Sequence, residues 1–255
     1  MNISTVNDIL LAFEPISLQE MESVKLMNRI DTKYVVSIQQ LPDILTKAQP
    51  SYFVQEIDGM RIADYDTMYY DTPSLDMYMR HHDRQLVRQK IRVREYVNSD
   101  LTFLEIKRKN NKGRTKKKRI VITDLQSQAQ EVHDFVGSKS WYNWEDLSPK
   151  LRTVFRRITL VNKQKTERLT IDLDLKFDNQ VNGRSEQIDG MVIIELKRDG
   201  NQPSPMLGIM QSEHVKQLKV SKYCIGTALT NPDIKQNRFK QKIRKIRKIC
   251  YKPTE

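Results

Sequence analysis

Cysteine is nearly absent from this chain of 255 residues: Cys224 and Cys250 are too few for a disulfide framework, and their spacing matches no zinc motif. No apolar run approaches the roughly 18–20 residues that a membrane-spanning helix needs. The opening stretch, MNISTVNDILLAFEPISLQEME, mixes acids into its apolar positions and has no basic n-region, so no signal peptide is read and a cytoplasmic location is the default expectation. Aromatics make up only 7% and are scattered, which weighs against a nucleic-acid strand stacked along a basic groove. Acidic residues are the other shortage: 32 Asp and Glu face 44 Lys and Arg, leaving a net charge of +12. Such an excess selects anionic partners: nucleic acid, an acidic membrane surface or phosphorylated small molecules. With 38% hydrophobic and 30% charged residues the chain is globular, and the lack of repeats or low-complexity linkers makes one domain the simplest organisation.

Periodicity divides the chain into elements. Residues 4–26 carry apolar residues at helical spacing, interrupted by Pro15, and predict two short helices. RIDTKYVVS (29–37) reads as a strand and residues 38–48 as a helix. YFVQEI, a turn at Asp58-Gly59 and RIADYDTMYYD read as a hairpin. Ser74 is placed to cap a short helix over LDMYMRHH. Residues 84–97, 101–109 and 114–122 form an antiparallel meander, and 124–152 a mostly helical insertion with Trp141, Trp144 and Pro149. Strands return at 153–161, 166–177 and 190–198, and SKY at 221–223 opens a last helix.

Sorting each strand by parity separates an apolar face from a charged one. Val87, Ile91 and Val93 oppose Arg88, Lys90, Arg92 and Arg94. Leu104 and Ile106 oppose Glu105 and Lys107, and Ile120 and Ile122 oppose Lys117 and Arg119. Leu169, Ile171, Leu173 and Leu175 oppose Arg168, Thr170, Asp172 and Asp174; Val192, Ile194 and Leu196 oppose Glu195 and Lys197; Ile30 and Tyr34 oppose Arg29, Asp31 and Lys33. An ordinary antiparallel sheet with one solvated face alternates in the same way. These polar faces, however, hold almost no Ser, Asn or Gln, and cations outnumber acids on them in strand after strand. Helices covering the apolar faces would make the charged faces converge, and burying unpaired charges costs several kcal/mol per ion. A polyanion in the interior resolves that cost, because Arg and Lys bind phosphate oxygens by charge-assisted hydrogen bonds.

R-x-x-x-K-Y at Arg29, Lys33 and Tyr34, YYDTP at 69–73 and R-x-K-x-R-x-R-x-Y at 88–96 resemble the VTC-type polyphosphate polymerase domain of the triphosphate tunnel metalloenzymes. LEIKRK (104–109), the Lys117/Arg119 pair, FRR (155–157), RLTID (168–172), IIELK (193–197) and SKY (221–223) continue the resemblance in collinear order over roughly residues 20–230. It implies an α+β fold in which an eight-stranded antiparallel tunnel, with helices packed outside, binds ATP and polyphosphate with a divalent metal, Mn²⁺ or Mg²⁺. The phosphate-binding cations it implies are Arg29, Lys33, Lys90, Arg92, Arg94, Lys107, Lys117, Arg119, Arg157, Arg168, Lys197 and Lys222. Arg92, Arg94, Lys107 and Glu195 would act on the transferred group, Glu195 as the metal ligand, an oxygen donor suited to a hard ion. Tyr96, Asp172 and Tyr223 are lesser candidates; Asp172 either helps with the metal or pairs with Arg168.

Two departures from the superfamily bear on activity. Its opening E-x-E-x-K stands here as Arg29-x-Asp31-x-Lys33, which removes an acidic ligand and turns the expectation from triphosphatases and class IV adenylate cyclases toward polymerases. Within FRR, strand parity selects Arg157 over Arg156. The expected activity is transfer of the γ-phosphate of ATP to a growing polyphosphate chain; a tunnel triphosphatase and a non-catalytic polyanion-binding module are the alternatives. The chain is thus read as an N-terminal helical segment (1–28), a tunnel domain (29–230) and a basic tail (231–255). The tail carries Ile234, Phe239, Ile243, Ile246 and Ile249 among its cations, Lys235, Arg238, Lys240, Lys242, Arg244, Lys245, Arg247 and Lys248. With Lys252 those cations number nine, and the tail is either a helix packed by its apolar residues or a contact for emerging polyphosphate or an anionic membrane. His81-His82-Asp83 is read as a helix end rather than a metal site, Cys224 as a packed residue, and Trp141 and Trp144 as core of the insertion.

Overall fold

A computed structural model describes residues 3–22, 24 and 29–251; the ends of the expected N-terminal segment and of the tail lie outside the described residues. In chain order the elements are α1 (Ile3–Leu11), β1 (Glu14–Ile16), α2 (Leu18–Glu22), β2 (Arg29–Ser37), α3 (Leu41–Ala48), β3 (Tyr52–Gln55), β4 (Ala63–Asp71), α4 (Asp76–His82), β5 (Arg88–Tyr96), β6 (Leu101–Lys109) and β7 (Thr115–Val121). There follow α5 (Ala129–Lys139), β8 (Ser148–Asn162), β9 (Glu167–Asn179), β10 (Ser185–Gln187), β11 (Met191–Asp199), α6 (Pro205–Ser212), α7 (Lys222–Thr230) and α8 (Asn237–Cys250). Eight strands run in the order β2-β11-β9-β8-β4-β5-β6-β7, and every adjacent pair is antiparallel. The α+β class and the eight antiparallel strands expected from the sequence are both present.

The sheet must curl. Leu218 donates its backbone N–H to the Lys33 carbonyl of β2 at 2.8 Å, and Ser221 Oγ accepts from Lys90 Nζ of β5 at 2.5 Å. In a flat sheet β2 and β5, five intervals apart, would be separated by roughly 24 Å, whereas three residues of chain span at most about 11 Å. The result is a half-barrel: among the described residues no ladder joins β2 to β7, and Gln217 bridges to Tyr34 along the free edge of β2.

The convex face is apolar and covered. Tyr34, Val36, Ile158, Leu160, Leu169, Ile171, Leu173, Val192, Ile194 and Leu196 pack under Val6 and Leu10 of α1, Leu41, Ile44 and Leu45 of α3, and Met206 and Met210 of α6. On the other limb Ile91, Leu104 and Ile106 share a cluster with Val132 and Val136 of α5. Each such side chain contributes about 1.5–3 kcal/mol when fully buried, so the apolar parity stripe fixes which face turns outward.

Several sequence expectations are corrected. β3 and β4 do not form a hairpin ladder: β3 pairs with β8 at 160–162 and β4 with β8 at 148–157, so the two lie end to end along one long strand. Only the bridge Ile57–Met60 survives around the Asp58-Gly59 turn. Helix α4 is not capped by Ser74. Its first-turn N–H groups at Asp76, Met77 and Tyr78 donate to Thr72 Oγ1, Asp71 Oδ1 and Asp71 Oδ2, which reach them because Leu75 adopts φ 57°. β8 begins at Ser148, inside the expected insertion, and Pro149 is tolerated at a register shift opposite Tyr70. In β9, Asp174 at φ 51° is an extra residue between Leu173 and Lys176 relative to β8. This bulge inverts the parity, turning Leu175 and Phe177 inward and leaving Asp174 exposed against Arg156 at 2.5 Å.

The inverted segment makes room for α7. Thr153 stands opposite Phe177, and Leu151 opposite Tyr69, on the concave face. Gly226 of α7 packs there so closely that a Cβ would lie 2.4 Å from Phe177 Cδ1 and 2.7 Å from Leu151 Cδ2. One end of the hollow is therefore filled by a helix that enters it from Ser221, whose Oγ accepts the Cys224 N–H as an N-cap.

Candidate active site

Strand register arranges the charged faces as rows. On one limb Arg92 stands opposite Glu105, which stands opposite Arg119. One step along, Lys90 faces Lys107, which faces Lys117. On the other limb Lys33 faces Glu195 and Asp31 faces Lys197, while Asp172 lies between Ile193 and Arg157. The curl turns the limbs toward each other: Lys107 on β6 feels the field of Glu195 on β11. Lys222, the first residue of α7, completes the ring by pairing with Asp172.

Three carboxylates neutralise part of this charge. Glu105, wholly buried, accepts from Arg92 Nε at 2.7 Å and Nη2 at 2.6 Å, and its other oxygen accepts from Lys117 Nζ at 2.9 Å. Asp172 accepts from Arg157 at 2.6 and 3.0 Å and from Lys222. Glu195 is engaged more loosely, with Lys33 Nζ at 3.6 Å and Lys197 Nζ at 3.8 Å. Burial would raise all three, yet the surrounding cations outweigh it and hold each carboxyl below the usual range.

Other cations have no carboxylate within ion-pair distance among the described residues. Arg94, 5% exposed, donates only to Thr67 Oγ1 at 3.1 Å and lies over the Tyr65 and Phe155 rings. Burial, Arg92 and Arg157 lower it to about 10. Lys107 is driven well below its ordinary value by Arg92, then by burial and Arg94. Lys90 is lowered chiefly by burial, and burial takes Lys222 down to about 8 against the pull of Asp172. Tyr69, buried and accepting from Arg92 at 3.3 Å, is pushed up by burial but pulled further down by Arg92, Arg94, Lys222 and Lys90, to about 8. For Arg94, Lys107 and Tyr69 neighbouring cations contribute to the shift, and a phosphate chain would supply the missing negative charge.

The remaining candidate cations lie at the periphery. Arg29 and Asp31 pair at 2.6 Å, both partly exposed. Arg168 does not pair with Asp172; its Nη2 donates to the Met21 carbonyl of α2 at 2.9 Å. Arg119 lies 4.2 Å above the Phe103 ring. Tyr96 packs on Tyr65 at 4.9 Å, and the Tyr223 hydroxyl donates to Asp71 at 2.6 Å while its ring stacks on Tyr69. Glu105 is the residue that strand sorting placed on the charged face without assigning it a role; its E-x-K spacing to Lys107 was the available signal. Elsewhere, His82 bonds Asp83 and Asn237, Cys224 is buried, and Trp144 packs on Tyr70. Trp141 is 43% exposed, stacked by Arg108 at 4.9 Å, rather than core.

The donor set bears on the metal. Among the described residues no group of three His, Cys, Asp or Glu side chains could hold an ion. Of the three carboxylates in the hollow Glu195 holds its cations at the longest distances, 3.6 and 3.8 Å, and a hard divalent ion accepts carboxylate and phosphate oxygens together. The residues therefore fit a metal that completes its shell with substrate phosphates.

The sequence matches the VTC domain family over residues 28–231. No curated protein matches it. Among solved structures, it is similar to a candidate adenylate cyclase from Vibrio parahaemolyticus (11% identity, 79% of this chain and 99% of that one, TM-score 0.48). It is also similar to a Hippeastrum protein described as a candidate adenylyl cyclase with a dominant triphosphatase activity (14%, 79% and 96%, 0.47). A third is a conserved hypothetical protein from Pyrococcus furiosus (13%, 77% and 99%, 0.45).

Proposed function

The chain belongs to the VTC domain family, and from that premise we propose that it is a polyphosphate polymerase, transferring the γ-phosphoryl group of ATP to the end of a polyphosphate chain held in the cation-lined hollow. In the step, a terminal oxygen of the chain attacks the γ-phosphorus, the bond to the β,γ-bridging oxygen breaks, and ADP leaves with that electron pair. Phosphoryl transfer needs little covalent help; alignment and charge neutralisation supply most of the rate. Arg92, Arg94 and Lys107 are assigned to the transferring group, and Lys33, Lys90, Lys117, Arg157, Lys197 and Lys222 to the flanking phosphates. Glu195 would hold the divalent ion, which would neutralise charge on the phosphate oxygens that it shares.

The observation that supports this reading over a triphosphatase is the pairing of the acids: Glu105 and Asp172 each accept from two cations, so a base for water would have to come from Lys107, Lys222 or Tyr69 instead. Water as the acceptor must lose protons, whereas a phosphate terminus is already ionised near neutral pH, its second pKa being about 6. Glu105, Asp172 and Glu195 are all engaged by cations and held low, which makes them weak bases. Asp31, the remnant of the second acidic position, is taken by Arg29. Incubation with ATP and Mn²⁺ should yield long phosphate chains and ADP. Orthophosphate as the sole phosphate product would establish a triphosphatase, and tight triphosphate binding without turnover a binding module.

A further inference from the structure

The limb of β5 and β6 carries a second hollow, on its outward side. Arg108 stands opposite Gln89, one parity step away from the inward pairs Lys90–Lys107 and Arg88–Lys109. Beside it is a space of about 670 Å³ lined by Leu86, Val87, Trp141 and Tyr142 together with Arg80 and Asn111. Two of its large apolar side chains face water, Leu86 at 62% and Trp141 at 43% exposure. They are nevertheless held in place. Trp141 donates its backbone N–H to the buried Gln89 Oε1 at 3.1 Å, and Tyr142 donates its own to Ser140 Oγ at 3.0 Å. Gln85, next to Leu86, is tied to α4 twice: its N–H donates to the Arg80 carbonyl at 3.0 Å, and its Oε1 accepts from Arg80 Nη1 at 2.9 Å. The charge around this hollow has one sign. Its lining holds no acid, and the nearby Glu145 and Asp146 line a separate space of about 470 Å³ that shares the Trp141–Tyr142 wall. The guanidinium of Arg108 stands 4.9 Å from the centre of the Trp141 ring and that of Arg80 5.8 Å from it. Arg80 is already paired with Asp76 at 2.6 Å. Exposed Arg108 and Lys112, which follows Asn111, have no carboxylate within ion-pair distance among the described residues.

We propose that this outward hollow docks a short acidic segment of another protein, with an apolar side chain set against Leu86 and Trp141 and carboxylates paired with Arg108 and Arg80. Trp, Tyr and Arg are the residue types that carry most binding energy at protein interfaces. A guanidinium already resting on an aromatic ring offers a carboxylate its two-pronged contact with little further ordering. Charge complementarity selects the partner. A second copy of this chain, at +12, would bring cations to cations. A nucleic-acid strand needs bare ring faces on which to stack its bases, whereas here guanidinium groups stand over the indole. The docking is separate from the concave face and does not depend on which reaction takes place there.

The probe is a random dodecapeptide library displayed on phage and selected on the wild type, with saturating tripolyphosphate present so that acidic peptides cannot enter the concave hollow. Enriched sequences should combine an aromatic or large aliphatic residue with two or more carboxylates. The best of them, synthesised with a fluorescent label, should bind Leu86→Ala and Arg108→Glu each about tenfold or more weakly than the wild type, the size of loss expected for an interface anchor. Both substitutions are at exposed positions, so melting temperature and tripolyphosphate affinity should stay unchanged and certify the fold. The proposal is overturned if no sequence is enriched, if the enriched peptides lack carboxylates, or if they bind both variants as tightly as the wild type. It is also overturned if a labelled oligouridylate binds the wild type under the same conditions and Arg108→Glu abolishes that binding while no peptide is enriched, which would assign the hollow to nucleic acid. None of these outcomes bears on turnover with ATP, so the docking site and the polymerase reading stand or fall separately.

Discussion

Glu195 and Glu105 lie on the same concave face yet differ in what their removal would do. Glu195 is partly exposed and touches its lysines only at 3.6 and 3.8 Å, so Glu195→Gln should leave thermal stability almost unchanged while turnover with ATP and Mn²⁺ nearly vanishes. Retention of turnover across a metal titration would remove it from the site. Glu105 is the counter-charge that lets Arg92 be buried. Glu105→Gln leaves that guanidinium unpaired, and breaking a buried pair in this way costs roughly 3–5 kcal/mol. Denaturant unfolding should register the loss, and tripolyphosphate should recover part of it by replacing the missing charge. The same shortage of anions has a signature in pH. Lys222 and Tyr69 both titrate at about 8 in the folded chain, below their ordinary values of 10.5 and 10.0. From pH 8 to about 9 these two groups leave the unfolded chain with more protons, so unliganded stability should rise with pH there; above it Cys250, pushed up to about 11 by burial, and the buried Tyr52, Tyr78, Tyr142 and Tyr223 act in the opposite direction. Phosphate affinity should fall over the same window, as an ammonium is lost and a phenolate appears. Melting temperature and tripolyphosphate affinity moving in the same direction would contradict the assignment.

At the scale of elements, alternation exposed most of the sheet and failed where the backbone departs from a two-residue repeat. The charged rows of β2, β5, β6, β7 and β11 were legible because each strand keeps one parity from end to end. β9 does not: nothing in RLTIDLDLKF marks Asp174 as a left-handed residue, since its local pattern reads as clean alternation. The hairpin expected at Asp58-Gly59 failed for a different reason, because the turn is real but β8 offers both strands a longer partner than they offer each other. A helix opening at SKY was expected and α7 is there, but its burial inside the hollow was invisible, because only the tertiary fold brings Gly226 against Phe177. Gly226→Ala should therefore destabilise the protein although alanine is the better helix former. Its Cβ must displace Phe177 and Leu151, and overpacking typically costs about 1–3 kcal/mol. An unchanged melting temperature would mean that α7 does not sit as deeply as described. The tail resolves in favour of a packed helix, with Phe239, Ile243, Ile246 and Cys250 buried, while its exposed basic residues remain available to an anion.

Across the whole molecule, the net charge of +12 acquires a location. Much of it points inward along a half-barrel rather than outward into solvent, which composition alone left undecided. The long strand β8 has a further consequence, in the order of events as the chain leaves the ribosome. β4 pairs with β5, its near neighbour in sequence, but its other edge must wait for β8, and β2 must wait for β11. Pairings between distant segments form late because loop closure precedes their reward. The meander β4 to β7 should thus acquire amide protection first in pulse-labelled hydrogen exchange, with β2 and β11 protected last. Simultaneous protection of all eight strands would exclude that order. Until β8 emerges, a nascent chain would carry β4 with a bare hydrogen-bonding edge, Tyr65, Tyr69 and Tyr70 among its side chains, and that interval is when this protein would most need a chaperone.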